Sequence, residues 1–123
     1  MPDIWRIYHV KNCRRAKPIP KDKLVVVVYR ALNPWGFFVN TGIRRFVQNQ
    51  PELLICQVSI QATNYKCLDH NSYIDCSELY PFEDAELLDG RDTINKQTKT
   101  EIKKAVAASK TIVVRHQKLI LAG

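Results

Sequence analysis

Glycine is scarce in this chain, with four in 123 residues: Gly36, Gly42, Gly90 and Gly123. Phosphate-cradling loops need several glycines within a few residues, so neither a P-loop nor a dinucleotide-binding fingerprint is available. HExxH and GxSxG are also absent, which removes the commonest zinc-protease and serine-hydrolase patterns. No apolar run approaches the roughly 20 residues that cross a bilayer. The opening Met1-Pro2-Asp3-Ile4-Trp5-Arg6 lacks the apolar region of a signal peptide. The expectation is a cytoplasmic protein that does not engage a membrane. Cys13, Cys56, Cys67 and Cys76 include no CxxC pair, whereas structural zinc sites bring their cysteines in close pairs. They read as small buried hydrophobes. His9, His70 and His116 are widely spaced. No metal and no cofactor is therefore expected.

What is present is a chain of ordinary size and hydrophobicity, with 46% hydrophobic and 25% charged residues. One domain, 1–123, is expected. The formal charge is +7, and it is unevenly spread. Residues 1–49 carry 10 Lys/Arg and 2 Asp/Glu, residues 50–92 carry 2 and 9, and residues 93–123 carry 7 and 1. A fold that gathers the two basic ends on one face would suit nucleic acid. The alternative is two solvated surfaces meeting the acidic middle.

The order of elements follows from hydrophobic patterning. Lys21-Asp22-Lys23-Leu24-Val25-Val26-Val27-Val28-Tyr29-Arg30 dominates the chain. Four consecutive valines resist helix and favour a pleated surface. A continuous apolar run of this kind predicts a strand buried on both faces. Ile4–Val10 reads as an earlier strand and Lys11–Lys21 as a basic loop. Asn33-Pro34-Trp35-Gly36 reads as a turn, and Phe37–Asn40 as the strand completing a hairpin. Ile43–Glu52 reads as an exposed loop. Leu53–Ile60 reads as a strand whose second half alternates, with Cys56, Val58 and Ile60 on one side. Ser59, Gln61 and Thr63 would then share the other. Asn71–Leu79 holds a fifth strand, and Glu83–Leu88 one or two helical turns closed by Asp89-Gly90. Residues 93–109 form the clearest helix. Thr98-x-x-Glu101 reads as a capping box, and Ile102, Ala105, Val106 and Ser109 form the inner side. The last segment, from Ile112 to Leu121, fits a strand or a short helix. About five short strands followed by a helix predict an α+β fold built on a small antiparallel sheet or part-open barrel.

One chemistry needs no metal. In RNA cleavage the 2′-OH attacks the adjacent phosphate once a base takes its proton. Cations steady the charge developing on the phosphate, and an acid protonates the leaving 5′-oxygen. The chain holds the residue types for this at its strand ends.

The chain resembles the MazF/PemK toxin family of small RNA-cleaving barrels. Pro2-Asp3-Ile4-Trp5 is similar to that family's Gly-Asp-Ile-aromatic opening. Lys21–Val28 stands where the family places a basic residue, Arg-Pro and an apolar strand. Leu54–Thr63 is similar to its central strand, Leu68–Leu79 to the strand leading into a polar link, and Ile94–Ser109 to its closing helix. The resemblance implies an SH3-like antiparallel β-barrel with a C-terminal amphipathic helix. It also implies a homodimer, single-stranded RNA held in a basic groove, and an acidic antitoxin as partner. In active members an Arg before the second strand and a Ser/Thr after the central strand carry cleavage. Here Arg-Pro is missing, and Lys21 or Lys23 occupies the region. Lysine supplies charge without the two-pronged grip of Arg. By the same resemblance Thr63 or Ser59 takes the hydroxyl position and His70 is a candidate acid or base. Arg14, Arg15 and Lys17 would hold the RNA backbone, together with Arg44 and Arg45. Two other readings stand beside it. One is a non-catalytic SH3-like module that binds nucleic acid or protein. The other is a docking domain for an acidic peptide.

Overall fold

The computed structural model describes residues 2–123. Its centre is strand β2 (Lys21–Arg30). Val25, Val26, Val27 and Val28 are all fully buried, as the continuous apolar run predicts. Side chains alternate across a strand, so β2 serves two cores. Val26 and Val28 join the larger one with Ile7, Phe37, Ile74, Ile102 and Ile120. Val25 and Val27 join a smaller one with Tyr8, Val10, Phe82 and Leu87. Burying each valine is worth roughly 1.5–3 kcal/mol, which makes β2 the anchor of both faces.

Strands β1 (Arg6–Cys13) and β3 (Pro34–Asn40) flank β2 antiparallel, with Val25 opposite both Tyr8 and Phe38. Gly36 faces Val27. A Cβ there would stand 2.6 Å from the Val26 carbonyl oxygen, so the close approach of β3 to β2 requires glycine. Two four-residue helices, α1 (Arg45–Gln48) and α2 (Pro51–Leu54), precede β4 (Gln57–Ile60). Then come β5 (Ser72–Asp75), the two-residue β6 (Tyr80–Pro81) and β7 (Asp89–Thr93). The sheet runs β4-β5-β3-β2-β1-β7, with β6 paired to β3. It curls into a half-barrel. Helices α3 (Lys96–Ala108) and α4 (Val114–Ala122) close the Val26/Val28 face.

The α+β architecture agrees with expectation, but several elements differ. There are seven strands among the described residues, not about five. Asp89-Gly90 opens β7 instead of ending a helix, because its backbone pairs with β1 at Tyr8 and His9. The hairpin turn lies at Ala31–Asn33, where the Ala31 N–H donates to the Asn33 carbonyl, and Pro34 already starts the strand. Ile43–Glu52 is not simply a loop. The fourth strand begins only at Gln57, since Leu53 and Leu54 complete α2.

The strong helix is present, but Thr98 is not its cap. Asn95 Oδ1 accepts from the Thr98 N–H at 2.8 Å, which satisfies a terminal donor. The Thr98 hydroxyl oxygen accepts from the buried Tyr65 O–H at 2.7 Å. The ambiguous last segment is helical in α4.

Candidate nucleic-acid interface

A cleft of about 660 Å³ opens beside the mouth of β2. It lies on the Val25/Val27 side of the sheet, because Lys21 and Lys23 share their strand parity. Five cationic side chains line it: Arg15, Lys17, Lys21, Lys23 and Arg44. Three anionic ones face them: Asp22, Asp75 and Glu78.

Lys23 is the organising cation. Its Nζ donates to Asn40 Oδ1 at 2.5 Å and to the Val39 carbonyl at 3.2 Å. It also stands 5.1 Å from the centre of the Phe38 ring. Antiparallel pairing of Leu24 with Val39 explains this grouping, since it sets the next residues, Lys23 and Asn40, side by side. Burial and the neighbouring Lys21 charge hold the Lys23 ammonium below the usual lysine value.

The opposite wall is a hydrogen-bonded carboxylate network. Asp75 is buried. Its Oδ1 accepts from Gln57 Nε2 at 2.9 Å, from the Ser77 N–H at 3.1 Å and from the Ser77 hydroxyl at 2.5 Å. Arg44 stands 3.8 Å from Asp75 Oδ2 and 3.6 Å from Glu78 Oε1. The Tyr80 hydroxyl donates to Glu78. Burial and that carboxylate push the Tyr80 phenol well above its ordinary value. Arg15 donates to Glu86 at 2.9 Å and lies over the Phe82 ring, so part of its charge is already matched.

The fold thus brings together Lys21, Lys23, Arg15, Lys17 and Arg44 of the expected set. Arg14, Arg45, Ser59, Thr63 and His70 are not among the residues lining the cleft. Ser59 pairs with Tyr73, which pairs with Asn40. All three share a face, and two inter-strand steps place Ser59 about 10 Å from Asn40. The expected row through Thr63 is broken because β4 ends at Ile60 and residues 62–64 turn. The two basic ends of the chain do not merge either. Lysines of α3 flank the other face, where Lys99 Nζ and Lys103 Nζ lie 5.0 Å and 5.9 Å from the Trp5 ring.

Asn40, Asp75, Glu78 and Tyr80 complete the cleft and were not singled out in the sequence. Only Asn40, ending a strand that hairpins onto the lysine mouth, carried a local signal.

Among the described residues no group of three or more His, Cys, Asp or Glu side chains is placed to hold a metal ion. No helix among the described residues is long and apolar enough to cross a membrane.

The curled sheet with its closing helices is consistent with a MazF-like fold. A solved structure, the Mycobacterium tuberculosis toxin MazF-mt6, matches it with a TM-score of 0.60 over 81% of this chain and 90% of that one, at 15% identity. Comparison with protein-family models gave no match, and neither did comparison with curated proteins.

Proposed function

We propose that the protein is a toxin-type endoribonuclease that cleaves single-stranded RNA in the cleft beside β2. The observation that carries this reading is the gathering of five cationic side chains in one concave site on a MazF-like sheet. Phosphate contacts supply most of the affinity for nucleic acid. Lys21, Lys23 and Arg44 steady the scissile phosphate as negative charge builds. Arg15 and Lys17 hold the backbone on either side. Glu78, on the cleft wall beside Arg44, takes the proton of the 2′-OH. The 2′-oxygen then bonds to phosphorus, and the bond to the 5′-oxygen breaks. That oxygen receives a proton from the Lys23 ammonium, which burial holds below the ordinary lysine value and so favours as a proton donor. Ser59 meets a flanking nucleotide, and Thr63 stays outside the chemistry. The corresponding biological setting is a bacterial toxin–antitoxin pair in the cytoplasm, with a homodimer as the working form and an acidic antitoxin as the inhibitor.

A second reading has its own support. Lys23 donates to Asn40 and Val39, and β2 opens on Lys21 and Lys23 with no Arg-Pro before its valines. Both features favour a module that binds RNA without cutting it. Incubation with mixed single-stranded RNA separates the two: cleavage supports the nuclease, and a salt-dependent gel shift with intact RNA supports the module.

A further inference from the structure

A second groove, of about 550 Å³, adjoins the basic cleft. Glu78 and Tyr80 line both, so the two share a wall. Their chemistry differs. Among the described residues Glu78 is the only charged one lining the second groove, and Arg44 faces its carboxylate at 3.6 Å. Trp35, Tyr80 and His116 are the aromatic residues of its wall, with Leu79 and Ile112 beside them. The Trp35 and His116 rings lie 4.5 Å apart at 43°. Tyr29 backs them, stacked on Trp35 with the ring planes 3° apart.

The Tyr29 hydroxyl is bonded to His116 Nδ1. Burial and Arg115 hold the His116 imidazole below its ordinary value, and burial pushes the Tyr29 phenol up to about 12. Both are therefore neutral near pH 7. A wall of this kind offers π-faces and neutral polar groups. Among the described residues no Lys or Arg lines it.

We infer that this groove is a nucleobase subsite, in which a base of the RNA held by the basic cleft stacks on the Trp35–His116 pair. The inference rests on the proposed RNA reading and adds where one base goes. Proteins that hold single strands commonly combine a cationic groove with aromatic platforms of this type.

The test uses the full chain at low salt and a labelled RNA octamer, intact or lacking one base at each position in turn. Binding is read by anisotropy and by tryptophan fluorescence. Stacking should quench Trp35, and comparison with Trp35→Phe separates its signal from that of Trp5. His116→Ala should weaken the intact octamer about tenfold. The same variant should bind the octamer lacking the stacked base as wild type does. Should His116→Ala prove unfolded by circular dichroism, the quenching in wild type against Trp35→Phe decides alone.

Wild-type binding that Lys23→Ala weakens, with no Trp35 quenching and no effect of His116→Ala, overturns the subsite while the RNA reading stands. Absence of any binding overturns both. Altered self-association in His116→Ala, with RNA affinity unchanged, assigns the groove to a second copy of the chain and also overturns the subsite.

Discussion

Lys23 is the residue on which the cleft turns, and its environment gives it a pH signature. Burial lowers its ammonium below the ordinary 10.5, so it loses its proton before exposed lysines do. RNA affinity should therefore decline as pH rises toward 10.5. Lys23→Arg, charged throughout that range, should lack the decline; identical profiles for the two proteins in a binding titration would refute the assignment. The linkage to folding has a definite sign. The unfolded chain binds more protons between the lowered value and 10.5, so stability rises with pH across that window. Asp75 has a structural role beside it. Asp75→Ala removes the acceptor shared by Gln57 and Ser77, which should cost about 1–3 kcal/mol in urea unfolding. Of these residues only the lysines were legible in the sequence, because they stand next to an unmistakable strand. Asp75, Glu78 and Tyr80 come from segments at least 50 positions further along the chain and reach the cleft only through sheet pairing.

At the scale of elements, legibility tracks burial. β2 was plain because both of its faces are apolar and both are covered. α3 was plain because its inner side repeats at helical spacing. β7 was not, since Asp89-Gly90-Arg91-Asp92-Thr93 has no apolar alternation; it is an edge strand held by backbone pairing to β1. α1 and α2 have four residues each, too few to show a period. Two substitutions test how the elements are held. Gly36→Ala sets a methyl against the Val26 carbonyl and should destabilise by about 1–3 kcal/mol. Asn95→Ala should cost about 1 kcal/mol by uncapping α3, whereas Glu101→Gln should stay within about 0.5 kcal/mol. A larger loss for Glu101→Gln than for Asn95→Ala in thermal melts would restore the capping box read from Thr98.

For the molecule as a whole, charge is segregated by the sheet. The basic cleft lies on one face, the α3 lysines flank the other, and the acidic middle of the chain supplies the cleft's Asp75–Glu78 wall. Binding of RNA should therefore be salt-dependent, and each cleft cation removed should reduce the slope of log affinity against log salt by about one. Lys23→Ala and Arg44→Ala should show this, while Lys104→Ala should not. The central claim, that this cleft cuts RNA, is tested most directly by incubating mixed single-stranded RNA with the protein in EDTA. Cleavage should persist in wild type and in Thr63→Ala, and fall at least about a hundredfold in Lys23→Ala. RNA left intact by the wild type at every salt concentration would contradict the nuclease, and a gel shift of that intact RNA at low salt would establish the binding module in its place.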